Sequence, residues 1–117
     1  MRVLLDHDVP HGLRPEFPDE YEVVTAQYQG WADLDNGDLL QAAEGEYTVL
    51  VTLDTNLVHQ QDVGTRDIGI VIIDVHPIVP DNLKRHMNKV RSAVTIAGEG
   101  QRPVVVREGG VDFLSSR

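Results

Sequence analysis

Short apolar runs, each broken by an acid, a glycine or a proline, recur along the chain and predict alternating strands and helices. Val3-Leu4-Leu5 is fully apolar and stops at Asp6, the pattern of a central parallel strand buried on both faces. Pro10 and Gly12 then break the pattern, with a short helix expected over roughly 9–16. Tyr21-Glu22-Val23-Val24-Thr25 is rich in β-formers and reads as a second strand. Asp33 to Glu44 reads as a helix with Leu34, Leu39, Leu40 and Ala43 on its apolar side, and Asp35 or Asn36 is its natural N-cap. Thr48 to Leu53 is the clearest strand and ends at Asp54, and a short helix is expected around Asn56–Gln61. Ile68 to Val75 forms a fourth strand. Pro80-Asp81 opens the longest helix, with Leu83, Met87, Val90, Val94 and Ala97 at near-helical spacing and Gly98 and Gly100 at its end. Pro103 to Val106 is the last expected strand.

Strands alternating with helices imply an α/β fold: one three-layer domain around a mostly parallel sheet of about five strands. Residues 1–108 are expected to form it, with 109–117 a loosely ordered tail. In such sheets the working site lies beyond the carboxyl ends of the strands, where the strand order reverses.

Composition narrows the chemistry. The 117 residues hold one core and are too few for two. There is no cysteine, so disulfides and thiolate metal sites are excluded. No stretch approaches the ~20 apolar residues of a membrane span, which makes a cytoplasmic location the default expectation and a membrane partner unexpected. The net charge of −9 opposes nucleic-acid binding at first sight, but it is unevenly spread. Residues 1–80 carry 15 acids and 3 Lys/Arg, whereas residues 81–107 carry 2 acids and 6 Lys/Arg. A cation bound in the acidic half would reverse the local sign and make phosphate welcome.

Asp6 and Asp8 follow the first strand and Asp54 follows the third. If these strands are neighbours, three carboxylates converge, an expensive arrangement unless they share a proton or a cation such as Mg²⁺ or Mn²⁺. Strand-end capping is the plainer account of each Asp taken alone.

Three segments together resemble the PIN-like family of small bacterial domains related to the PIN-domain ribonuclease toxins of toxin–antitoxin systems. They are Val3-Leu4-Leu5-Asp6-His7-Asp8-Val9-Pro10, then Gly30-Trp31-Ala32-Asp33-Leu34-Asp35-Asn36-Gly37-Asp38-Leu39-Leu40, then Val49-Leu50-Val51-Thr52-Leu53-Asp54-Thr55-Asn56-Leu57, followed by Gln60-Gln61. The resemblance covers about residues 1–61. It implies that Asp6 and Asp54 bind metal, that Asp38 supplies a middle acid as ligand or base, and that Asn36 and Asn56 stand where many relatives carry acids. It further implies that Thr52 holds the strand-end geometry through its hydroxyl and that Asp8 plays a supporting part. The implied activity is Mg²⁺- or Mn²⁺-dependent hydrolysis of RNA, with a cognate antitoxin and a homodimer as expected partners. His7 stands where Glu is common, and the amides of Asn36 and Asn56 leave fewer anions. A non-catalytic module that binds a protein or RNA is therefore the serious alternative.

Other readings carry less. His7, His11, His59, His76 and His86 show no zinc-ligand spacing. Trp31 reads as a packing residue. Lys84, Arg85, Lys89 and Arg91 read as a solvated helix face, or as a strip that tracks phosphate or contacts a partner. A haloacid-dehalogenase-type phosphatase needs a lysine in the later strands, and both lysines fall in a helix. A response-regulator receiver needs a lysine after the fifth strand, where Arg107-Glu108 stands instead.

Overall fold

The computed structural model describes residues 1–57, 66–100 and 103–113. Its strands are β1 (Arg2–Leu5), β2 (Glu22–Thr25), β3 (Val49–Thr52), β4 (Gly69–Asp74), β5 (Pro103–Arg107) and β6 (Gly110–Phe113). They form one sheet in the order β2-β1-β3-β4-β5-β6, parallel throughout except for the antiparallel β5–β6 pair.

Side-chain alternation sends the strands' apolar residues to two faces, and each face has its own cover. Val3, Leu5, Val49, Val51, Val71, Ile73, Val104 and Val106 pack with Leu13, Leu83 and the apolar stripe Met87, Val90, Ala93, Val94 and Ala97. These belong to a 3₁₀ helix (His11–Glu16), to α3 (Pro80–Arg85) and to α4 (Met87–Gly100). Leu4, Leu50, Ile70, Ile72 and Val105 pack on the opposite side with Ala26, Leu39, Leu40 and Ala43. Those come from α1 (Ala26–Gln29) and α2 (Asn36–Glu44). The result is a single three-layer α/β domain, and no helix among the described residues is long and apolar enough to cross a membrane.

Three details differ from expectation. The sheet has six strands rather than about five, because the segment after Gly109, expected to be loose, supplies β6. A two-residue turn at Glu108-Gly109 reverses the chain, since Arg107 pairs with Gly110, and the Arg107 guanidinium reaches Asp112 at 2.7 Å across the hairpin. The long C-terminal helix is broken at His86, whose backbone leaves helical geometry (φ −103°, ψ 9°) between α3 and α4. The extra helix α1 is started by Thr25, whose hydroxyl accepts the Tyr28 N–H, and is ended by Gly30 in the left-handed region (φ 79°). The helix expected around Asn56–Gln61 falls largely outside the described residues.

The strand order fixes where a site can form. From β1 the chain moves to one side for β2, over the face that carries the 3₁₀ helix. It returns to the other side for β3 over the face that carries α1 and α2. The connections diverge between β1 and β3, and this is where a doubly wound sheet opens a crevice at its carboxyl edge.

A candidate metal-binding carboxylate site

The acids that end β1 and β3 meet at this edge of the sheet. Val3, Leu4 and Leu5 pair with Val49, Leu50 and Val51, so Asp6 arrives level with Thr52 on the α2 face of the sheet. Thr52 is fully buried, and its hydroxyl donates to Asp6 Oδ2 at 2.8 Å. The same oxygen accepts the Asp54 backbone N–H at 3.1 Å and lies 3.4 Å from Asp8 Oδ2. One hydroxyl thus links all three acidic positions.

Each carboxylate is further held by other donors. Asp6, only 2 % exposed, accepts at Oδ1 both the His7 backbone N–H (2.7 Å) and His7 Nδ1 (2.9 Å). Asp8 Oδ1 accepts the Leu53 N–H at 3.2 Å. Asp54 Oδ1 accepts the Asn56 N–H at 2.9 Å, and its Oδ2 accepts Asn36 Nδ2 at 2.8 Å. Asn36 opens α2, which is started by Asp35 accepting the Asp38 N–H at 2.9 Å. The side-chain amide of Asn36 and the backbone N–H of Asn56 therefore position Asp54.

Asp38 is not brought into this group. It is exposed in the first turn of α2, and residues two apart on a helix, such as Asn36 and Asp38, do not share a face. Its carboxylate has no described contact with Asp6, Asp8 or Asp54. Among the described residues no Lys or Arg pairs with these three acids. Burial, and then the neighbouring Asp6 carboxylate, push the Asp8 carboxyl above its ordinary value. Asp54 adds to the rise, while the Leu53 N–H and His7 oppose it.

The donor set decides whether a divalent ion fits. A carboxylate oxygen has two acceptor positions, and of the six oxygens here only Asp6 Oδ1 has both filled by described donors. No group of three or more His, Cys, Asp or Glu side chains among the described residues forms a ready-made metal cage. Mg²⁺ does not require one, being commonly held by one or two carboxylates, several waters and a substrate phosphate. The residues fit an ion of that shared kind. Sequence reasoning missed Leu53 N–H as an anchor for Asp8 and the Asp6–His7 contact, neither of which has a local sequence signal.

A separate groove of about 490 Å³ runs along the outer edge of β2, lined by Arg14, Phe17, Asp19, Tyr21, Thr25 and Tyr28 among others. It contains none of the three acids. Its Arg14 Nε donates to the Val23 carbonyl at 2.9 Å.

The electrostatics predict a stability response. A folded carboxyl whose pKa is raised favours the protonated form, so stability is greatest below the unfolded value near 3.8 and falls as pH rises through the folded value. Asp8→Asn keeps the acceptor for Leu53 and removes the charge. In chelator at pH 7 it is expected to melt a few degrees higher than the natural protein, on the scale of a typical stabilising substitution. The gap should close in melts near pH 3.5, and a variant that melts lower at pH 7 would contradict the account.

Comparison with protein-family models, with curated proteins and with solved structures yields no match.

Proposed function

We propose that this protein is a PIN-like, Mg²⁺- or Mn²⁺-dependent ribonuclease. The observation that supports the reading is the meeting of Asp6, Asp8 and Asp54 around the buried Thr52 hydroxyl, at the carboxyl edge where the strand order reverses. One or two of these carboxylates, with waters and a substrate phosphate, would hold the ion, Asp54 and Asp6 being the first candidates. A divalent ion held there would supply Lewis-acid chemistry, polarising a scissile phosphate and lowering the pKa of a bound water. The chain's own contribution is positional: Thr52 fixes Asp6 against the strand end, and Asn36 and the Asn56 N–H fix the Asp54 carboxylate. Neutralising these carboxylates with metal also reconciles an acidic surface with a polyanionic substrate. A toxin role, with an antitoxin partner and a homodimeric state, is part of the same proposal.

The test is cleavage of a mixed labelled RNA pool with Mg²⁺ or Mn²⁺ by the natural protein, Asp6→Asn, Asp54→Asn and Asp38→Asn. Metal-dependent cleavage lost in the first two variants and kept within about threefold in Asp38→Asn is the expected result, because only the first two change the gathered carboxylates. Cleavage that survives in Asp54→Asn would place the chemistry elsewhere. No metal-dependent cleavage by any of them would leave the module that binds without cutting.

A second reading is favoured by the strand order. Acids after β1 and an Asp after β3, in a sheet ordered β2-β1-β3-β4-β5, also describe a phosphoacceptor receiver. Against it, β5 ends in Arg107, whose guanidinium faces Asp74 and Asp112. Acetyl phosphate with Mg²⁺ would add phosphate to Asp54 under this reading and leave it unmodified under the first.

A further inference from the structure

The groove along β2 begins beside the carboxylates. β2 is the outermost strand of the sheet, and its last residue, Thr25, pairs with Leu5, the residue before Asp6. Gln27 Nε2 donates to the His7 carbonyl at 3.2 Å and ties α1 to the turn that carries the acids. Two groups stand open in this groove. Tyr28, 84 % exposed, is the most exposed large hydrophobic side chain among the described residues, and its backbone N–H is anchored on Thr25 Oγ1 at 3.1 Å. Arg14 uses Nε on the Val23 carbonyl, so both terminal nitrogens of its guanidinium are without a described partner. It pairs with no acid among the described residues. Of the acids in the lining, Glu22 is paired with Arg2 at 2.6 Å, and Asp19 has no described partner. The backbone of the strand argues against an added peptide. The Glu22 N–H donates to the Met1 carbonyl, so alternation turns the Val23 N–H and C=O to the open edge. Arg14 covers that carbonyl and blocks strand addition in the middle of a four-residue edge.

We propose that this groove holds one unpaired nucleotide of an RNA strand that runs on from the carboxylates, its base against the Tyr28 ring and its phosphate on the Arg14 guanidinium. This rests on the RNA-directed reading above and adds where the strand lies. The chemistry of the lining favours this occupant. An unpaired base offers a flat π-face to an aromatic ring, and a phosphate accepts two parallel N–H bonds from one guanidinium. Asp19 in the same lining is an acceptor for the exocyclic amine of a base. The volume of about 490 Å³ is on the scale of a small-ligand site, which suits one nucleotide and is too small for a duplex. Duplex RNA keeps its bases stacked in pairs and has none to offer, so the groove makes the protein selective for single strands. Stacking also gives an acidic protein a hold on RNA that needs few phosphate contacts.

The test is fluorescence anisotropy of a labelled single-stranded RNA of about ten nucleotides, and of its duplex, titrated with the full chain in chelator so that nothing is cut. The proteins are the natural one, Tyr28→Ala, Tyr28→Trp, Arg14→Gln and the double variant Lys84→Gln/Arg85→Gln on α3. Tyr28→Ala is expected to weaken the single strand about tenfold, and Tyr28→Trp, which restores a stacking ring, to stay within about threefold of the natural protein. Arg14→Gln keeps a donor for Val23 and should flatten the salt dependence by roughly one phosphate contact. The duplex should bind more weakly and be indifferent to Tyr28→Ala. Because Tyr28 is exposed, Tyr28→Ala should melt with the natural protein, which separates lost binding from lost folding. Single-strand binding that Tyr28→Ala and Arg14→Gln both leave within about twofold would overturn the groove assignment and leave the RNA-directed reading standing. Loss of binding in Lys84→Gln/Arg85→Gln in place of Tyr28→Ala would put the strand on α3 and overturn it also. A natural protein that binds no single-stranded RNA would remove the RNA-directed reading, and this inference with it.

Discussion

Gly69→Ala is expected to destabilise the domain by about 3 kcal/mol or more, a large part of the roughly 5–15 kcal/mol that holds such a domain folded. Gly69 opens β4, where α4 crosses the sheet. A methyl group added there would sit 2.3 Å from the Ala97 carbonyl oxygen and 2.6 Å from its carbon. Both are backbone atoms, so no side-chain rotation relieves the overlap. Either α4 moves off the sheet, opening the layer that holds Val90, Val94 and Ala97, or β4 loses its register with β3. Urea unfolding should show a lower midpoint with an unchanged slope. A loss below about 1 kcal/mol would mean that α4 slides freely on the sheet. Gly98→Ala is the contrast: its new methyl would meet the flexible end of the Met1 side chain at 2.8 Å, and a smaller loss is expected.

Thr52→Val should follow at about 2–3 kcal/mol, from two orphaned groups in a water-excluded place. Valine has the same shape as threonine, so no cavity opens. It removes the hydroxyl that donates to Asp6 and accepts from the Asp54 N–H. Asp6 then keeps a buried carboxylate oxygen with no described donor, and the turn that presents Asp54 loses its tether. The proposed RNA cleavage should fall with it, whereas Thr52→Ser, which restores the hydroxyl, should stay within about 1 kcal/mol of the natural protein. A Thr52→Val protein as stable as the natural one would show that the hydroxyl contributes nothing to holding the acids.

The central strands were readable because burial on both faces leaves an unbroken apolar run, as in Val3-Leu4-Leu5 and in Val49 to Thr52. The N-cap was readable to within one residue, Asp35 or Asn36, because the cap is a local interaction between a side chain and a nearby N–H, and Asp35 takes it. The break at His86 was not, since neither glycine nor proline marks it. Strand β6 was hidden by its composition, Gly110-Val111-Asp112-Phe113, although Gly109-Gly110 is a hairpin signal that could have been weighed. The site divides along the same line. Asp6, Asp54 and Thr52 stand at strand ends, and strand ends can be read from a sequence. Whether Asn36 or Asp38 faces Asp54 depends on how α2 is rotated on the sheet, a matter of tertiary packing that spacing along the helix leaves open.

The position of β1 between β2 and β3 has a consequence for the order in which the protein is made. Both of its neighbours are made after it, one much later than the other: β2 ends at Thr25, while the hydroxyl that meets Asp6 lies 46 residues beyond Asp6. During synthesis at roughly 5–20 residues per second, the inner edge of β1 waits a few seconds for its partner. Through that interval Val3, Leu4 and Leu5, all fully buried in the finished sheet, present an unpaired apolar strand at the ribosome exit. The loop that β3 then closes is long, which places the slow step of folding at the strand pairing that also brings the carboxylates together. The nascent chain therefore gathers its carboxylates at the moment it covers this apolar strand.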